Sequence, residues 1–469
     1  MSRENTEVKA LKEKLFARRE NGGKILSEET LAKCENFGIG YKDFLNKSKT
    51  EREAVKYTLE KAKSLGFTEF DKSKKYNPGD KIYLLNREKN IVLGIIGKNG
   101  VKNGVKISVA HIDAPRLDLK PNPIIEDKEI AILKTHYYGG IKKYQWTTIP
   151  LSLHGRVVKK DGSYVDITIG ESEEDPCFCV TDLLPHLSKE QMNKKMSEVI
   201  TGENLNVLIG SMPFKSDSGS ELVKLNILKI LNEKYGIVEE DFISAELELV
   251  PTMKAQDVGF DRSMIGGYAH DDRSCAYCCI EGIMDLKEIP EETALVLLTD
   301  KEETGSDGNT GMKSFFLKYF IADLANQEGL KTRDVLSKST CLSADVNAAY
   351  DPTYSSSYEF LNSSFINRGV VVTKYTGSGG KYSTSDASAE FTGEILRILN
   401  NNDVLWQSSE LGKIDAGGGG TIAKYIASWN VNVIDIGVPV LSMHAPYEVI
   451  SKIDLYMTYK AVYSFFKAK

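Results

Sequence analysis

Two adjacent glutamates, Glu302 and Glu303, stand within the segment Asp300-Lys301-Glu302-Glu303-Thr304-Gly305-Ser306, just after the apolar run Ala294 to Leu298. That run reads as a buried strand. In a doubly wound α/β sheet the ligand crevice lies beyond the carboxyl ends of the strands, so acids there stand where such folds do chemistry. A solvated acidic turn is the commoner meaning of Glu-Glu taken alone, but the pattern recurs. Val105 to Ala110 runs into His111-Ile112-Asp113-Ala114-Pro115, with Pro115 stopping the strand. Gly266-Gly267-Tyr268-Ala269-His270-Asp271-Asp272-Arg273 precedes Ser274 to Leu286, an apolar-rich stretch that reads as a buried helix. Cys341-Leu342-Ser343-Ala344-Asp345 ends a further apolar segment. Val431 to Ile436 leads through Pro439 to Ser442-Met443-His444-Ala445-Pro446.

In order, the metal-capable side chains are His111, Asp271, Glu303, Asp345 and His444, with Glu302 beside one of them. His111 and Asp113, two apart on a strand, share a face. That spacing lets His111 offer one ring nitrogen to a metal while the Asp113 carboxylate fixes the other. Taken alone, Asp271 or Asp272 would be a helix cap. Together the set suits two divalent cations sharing one carboxylate. Imidazole and carboxylate donors favour zinc, admit cobalt or manganese, and argue against a thiolate structural site. Two such ions activate a water as nucleophile near neutral pH and polarise a substrate carbonyl. Glu302, adjacent to a ligand, is placed to take the proton of that water and pass it to a leaving amine.

The segments HIDAP, AHDD, DKEETGS, SADVN and SMHAP resemble, in this order, the active-site motifs of the aspartyl aminopeptidases, dizinc exopeptidases. The resemblance runs from about Tyr41 to the C terminus. It implies that one metal takes His111 and Asp345, the other Glu303 and His444, that Asp271 bridges them, and that Glu302 is the general base. The implied activity is removal of the N-terminal residue from peptides, with Asp or Glu preferred, by attack of a hydroxide held at a two-metal centre. Lys374 resembles a family lysine that meets a substrate carboxylate. Gly379-Gly380-Lys381-Tyr382-Ser383 stands where the family commonly has Gln-Arg-Tyr, so Lys381 keeps a cation without the bidentate fork of arginine. That departure implies a broader preference than Asp and Glu alone. Asp415-Ala416-Gly417-Gly418-Gly419-Gly420-Thr421-Ile422 resembles a glycine-rich turn whose backbone at Gly418 and Gly419 is open to a peptide oxygen; a purely conformational turn is an equal reading. His186, in Leu184-Pro185-His186-Leu187, resembles a residue that reaches a neighbouring active site. His270 replaces an apolar residue of the family and reads as a hydrogen-bonded core histidine.

The implied fold is α/β: a mixed-sheet zinc-exopeptidase catalytic domain with helices on both faces, interrupted by a β-rich dimerisation domain. The boundaries are 1–115 and 252–469 for the catalytic part and 116–251 for the insertion, where Gly155 to Val158, Tyr164 to Ile169 and Ala245 to Val250 alternate like antiparallel strands. The family implies homo-oligomers, dimers assembling into a tetrahedral dodecamer. Ahead of the resemblance, Glu7 to Arg19 reads as an amphipathic helix packing on the shell.

At 469 residues and 41% hydrophobic content the chain can bury more than one core. A net charge of −6 gives no basis for nucleic-acid binding. Seven cysteines and a charged N terminus without an apolar signal region point to the reduced cytoplasm. Cys275, Cys278 and Cys279 fall in the helix after Asp271 and read as small buried hydrophobes. No apolar run is long enough to span a membrane. Two rival functions use the same residues: a related dimetal carboxypeptidase or deacylase with a different pocket, and a shell or cargo protein that keeps metals but has no need of Glu302.

Overall fold

The computed structural model describes residues 6–17 and 20–469. Its centre is a nine-stranded mixed sheet. Four strands in the middle of this sheet, Thr293–Thr299, Val105–His111, Thr340–Ala344 and Asn432–Gly437, lie side by side and parallel. Thr299 pairs with His111, and Ala344 with Ile436, so the carboxyl ends of all four open on one edge. Each is followed by one of the predicted motifs. Strand alternation sends Val296 and Leu298 into one apolar cluster and Leu295 and Leu297 into another on the opposite face. Burying each such side chain is worth about 1.5–3 kcal/mol, which is why continuous apolar runs mark these strands.

Helices cover both faces, as the sequence implies. Glu28–Lys47, Glu51–Ser64, His270–Met284, Ala389–Asn401 and Lys452–Lys467 pack on one side, and Phe316–Gln327 with Ala423–Ala427 on the other. The expected buried helix after Asp271 is His270–Met284, in which Cys275, Cys278 and Cys279 are fully buried and free. The helix expected from Glu7 spans Thr6–Leu15, and all of its residues are exposed in the single chain; Arg18 and Arg19 lie outside the described residues. Among the described residues no helix is long and apolar enough to cross a membrane.

Between residues 116 and 251 the chain forms a second, antiparallel seven-stranded sheet with its own apolar core around Trp146, Leu249 and Val207. A third sheet, of five short strands, joins Gln256–Val258, Met264–Gly267, Glu448–Ser451, Pro439–Leu441 and Asn347–Ala348. It brings the approach to Asp271 beside the segment around His444, and its strands, only two to four residues long, are too short to show a pattern in the sequence.

Buried ion pairs tie the second sheet to the first layer of helices. Lys89 Nζ is 3.0 Å from Glu51 Oε1, and Arg116 lies 3.5 Å from Glu51 and 3.3 Å from Glu248. Glu53 completes a capping box at Thr50 and also meets His154 Nδ1 at 2.8 Å, while His154 Nε2 is 3.2 Å from Glu171. Burial opposes charge on His154, but Glu171 and Glu53 outweigh it and hold its pKa above the ordinary imidazole value. A folded pKa above the unfolded one gives stability that is complete below the unfolded value and fades as pH rises through the folded one. The stability difference between wild type and His154→Gln should therefore be larger at about pH 6 than at about pH 9 in denaturant titrations; a difference independent of pH would contradict this role.

Candidate metal centre

At the carboxyl edge of the central sheet, the chain after Thr299 turns through Lys301, at φ 65°, into a short 3-10 turn, Glu302–Thr304. Asp113, two residues beyond its own strand, holds the start of that turn. Its Oδ1 accepts the Glu302 N–H at 3.0 Å and its Oδ2 the Glu303 N–H at 3.1 Å. A carboxylate at an open turn N-terminus satisfies N–H groups that would otherwise be orphaned. The same Asp113 side chain lies 3.3 Å from His111 Nδ1 and accepts the Tyr138 hydroxyl at 2.7 Å. His111 Nδ1 donates to the backbone carbonyl oxygen of Asp113 at 3.1 Å, with the Asp113 carboxylate beside it, so Nε2 is left with its lone pair facing the cluster.

Asp271 lies at the centre. Its Oδ1 is 3.1 Å from His111 Nε2 and its Oδ2 is 3.2 Å from His444 Nε2. Asp345 Oδ1 is 3.9 Å from His111 Nε2, and Glu303 Oε2 is 3.5 Å from His444 Nε2. Two groups of potential ligands result, His111–Asp271–Asp345 and Asp271–Glu303–His444, with Asp271 common to both. Donors about 2.0–2.1 Å from a tetrahedral zinc stand about 3.3 Å apart, so these separations suit ligands of a common ion. Glu303 Oε1 is buried without a hydrogen-bond partner, a polar atom that a cation would satisfy. Burial and the Asp271 charge push the Glu303 carboxyl up, and burial together with Asp272 and Asp271 does the same for Asp345. A bound dication would reverse both shifts.

His444, like Lys301, has positive φ, at 64°. Its N–H is taken by Glu448 Oε1 at 2.7 Å, and its Nδ1 sits 2.7 Å from the carbonyl oxygen of Gly140, which leaves Nε2 for a metal. Gly140 and Tyr138 belong to the segment of the second sheet, so that sheet reaches over both histidines. A Cβ on Gly140 would stand 3.3 Å from His444 Nδ1, closer than the ring readily allows. The His444 side chain is 34% exposed whereas His111 is 1% exposed, so the cluster opens to solvent on the His444 side.

Glu302 is in no ligand group. Burial raises its carboxyl pKa, His111 and His444 pull it down, and Asp113 and Asp271 add to the rise. Asp272 is buried with neither oxygen hydrogen-bonded, and burial pushes it up; it is Asp271 that lies between the two imidazoles. His270 is a buried histidine whose Nδ1 shares a hydrogen bond with the Tyr41 hydroxyl at 2.7 Å, and burial lowers its pKa to about 3.

The other candidates gather elsewhere. Lys374 and Lys381 both face Asp386, at 4.0 and 3.1 Å, and Lys381 lies 3.6 Å over the Tyr375 ring. Tyr382 is exposed. Gly418 and Gly419 pair with Ser378 and Gly377 in a two-stranded ribbon, where a Cβ on Gly418 would meet the Gly377 oxygen at 2.2 Å. Close backbone approach accounts for that glycine. His186 is exposed on the turn Pro185–Leu187. Sequence reasoning missed Tyr138, Gly140 and Glu448. Glu448 sits four residues after His444, but nothing in its spacing distinguishes it from a surface acid.

A mixed sheet with a histidine and carboxylate cluster at its carboxyl edge defines a metal-dependent hydrolase. The profile of the Aminopeptidase I zinc metalloproteases (M18) matches residues 44–466. The chain is 49% identical over 449 residues to a probable M18 family aminopeptidase 1 of Borrelia garinii, covering 94% of this chain and 98% of the relative. The crystal structure of an M18 aminopeptidase from Thermotoga maritima superposes with a TM-score of 0.92 at 44% identity, over 97% of this chain and 100% of that one. The S. cerevisiae mApe1 dodecamer, 21% identical, shares the fold with a TM-score of 0.75 over 94% of this chain and 98% of that one. The chain therefore belongs to the M18 family and is a zinc metallo-aminopeptidase.

Asparagine at position 113 would turn an amide NH2 toward groups that already donate. Asp113→Asn should lower zinc affinity about 10–100-fold in a competitive titration; unchanged affinity would leave the support of His111 to the Asp113 backbone carbonyl alone.

Proposed function

We propose that this aminopeptidase works with two divalent ions, zinc in the first instance with cobalt or manganese as substitutes, bridged by Asp271. The observation that carries this reading is the placement of the Asp271 carboxylate between two imidazoles, each with a further carboxylate beside it. His111 and Asp345 would hold one ion, and Glu303 and His444 the other. When bound, such ions supply Lewis acidity, lowering the pKa of water and polarising a carbonyl oxygen. Among the described acids of the cluster, Glu302 is the one outside both ligand groups whose turn is fixed by Asp113. Glu302 accepts the proton of the attacking water and returns it to the amine that leaves, while Asp113 keeps His111 in the tautomer that presents Nε2.

Substrate is read at its N-terminal residue. Lys374 and Lys381 favour Asp or Glu there, but Asp386 competes for the same cations, so neutral residues are cleaved as well. Gly418, Gly419 and Tyr382 border these lysines on the same ribbon and turn. The chain acts as a homo-oligomer in which residues 116–251 form the dimerising module, dimers build a tetrahedral dodecamer, and His186 approaches a neighbouring active site. Exposed Leu184, Leu187, Met192 and Met196 near His186 support an assembly surface. Seven free cysteines suit a reducing cytoplasm. A carboxypeptidase or deacylase reading finds no separate support in the site, and the intact Glu302 disfavours a shell protein without activity.

Replacing Glu302 with glutamine should leave metal content unchanged and cut turnover of peptides with free N termini by about 10²–10⁴-fold. Retained turnover would exclude Glu302 as base. On a series of peptides differing only in the first residue, Asp and Glu should lead without excluding neutral residues; equal cleavage of all would remove the two lysines from recognition.

A further inference from the structure

We propose that Glu448 is a positioning residue that clamps the shared carboxylate and one histidine of the metal centre into a single frame. The inference rests on the two-ion reading above and adds a group that is not itself a ligand. Glu448 begins the strand Glu448–Ser451, where it pairs across the sheet with Gly267, four residues before Asp271. It is 1% exposed. One oxygen accepts the N–H of His444 at 2.7 Å and the other accepts the N–H of Asp271 at 3.0 Å. Those two N–H groups belong to segments far apart in the chain, and each segment bends through a residue with positive φ, Ala269 at 65° and His444 at 64°. Positive φ is disfavoured for residues with a Cβ, so these backbones need an external tie to hold their direction.

A carboxylate can serve both N–H groups because both its oxygens accept. Its hydrogen bonds to N–H groups are also charge-assisted and therefore stronger than neutral ones. A glutamine of the same length has one accepting oxygen and turns an NH2 group toward the remaining N–H. One of the two ties is then lost with almost no change of volume. Asp271 is common to both ligand groups, whereas His444 belongs to only one. Loosening the clamp should thus be felt most by the ion at the Glu303–His444 position and less by the ion at the His111–Asp345 position.

The test is a chelator titration of the cobalt-loaded full-length protein, wild type against Glu448→Gln, read as cobalt per chain and by the visible absorption of the two positions. The wild type should hold two ions. In Glu448→Gln one ion should leave at a chelator concentration about 10–100-fold lower, with the melting temperature of the singly loaded form and the spectrum of the retained ion unchanged. Release of both ions at wild-type concentrations overturns the clamp. A parallel loss of both with a lowered melting temperature also overturns it and makes Glu448 a general structural residue. Should Glu448→Gln not fold, Glu448→Asp, which keeps the charge but cannot span both N–H groups, is read with the same outcomes. A wild type that holds a single ion removes the two-ion reading and the selective loss with it; a wild type with two ions and an unaltered variant removes the clamp alone.

Discussion

Buried negative charge is the constraint around which this molecule is organised. Asp113, Asp271, Glu303, Asp345 and Glu448 converge on one sheet edge, where water is largely excluded. Carboxylates in such a place are expensive unless they are hydrogen-bonded or neutralised by cations. The structure divides them into two kinds. Asp113 and Glu448 spend both oxygens on backbone N–H groups, and so become parts of the scaffold. Asp271, Glu303 and Asp345 keep their oxygens toward the imidazoles of His111 and His444. Only the second kind has capacity left for a metal.

That division depends on the sheet. Parallel strands end at a common level, and so the residues after Ala110, Thr299 and Ala344 meet although they are far apart in the chain. His444 arrives by another route, through the small five-stranded sheet that also carries Glu448. The segment between residues 116 and 251 adds a third direction of approach, with Tyr138 on Asp113 and the Gly140 carbonyl on His444. His111 is oriented by Asp113, two residues beyond its strand, and His444, in the turn between two short strands, by the Gly140 carbonyl. Orientation of this kind fixes which ring nitrogen faces a metal before any ion is bound.

Much of this was legible in the sequence, because strand ends followed by His, Asp and Glu announce themselves through apolar runs of five or more residues. The four central strands, the helix after Asp271 and the antiparallel character of the middle segment were readable in that way, and the zinc aminopeptidase family through the resemblance of the five motifs that follow them. Contacts that lack a periodic signal were not. Glu448, Tyr138 and Gly140 act through single hydrogen bonds, and the five-stranded sheet is made of strands too short to show alternation. In the N-terminal helix Val8, Leu11 and Leu15 form an apolar stripe, and all three are exposed in the single chain. Lys374 and Lys381 keep the cations expected of them, and the carboxylate that meets both, Asp386, carried no signal of its own.

The central claim is that Asp271 is shared by two ions. An anomalous difference map from crystals of the zinc-loaded protein, recorded on both sides of the zinc absorption edge, tests it most directly. Two peaks flanking the Asp271 carboxylate, one beside His111 and Asp345 and the other beside Glu303 and His444, are the result expected. A single peak, or a second one that does not touch Asp271, would contradict the account.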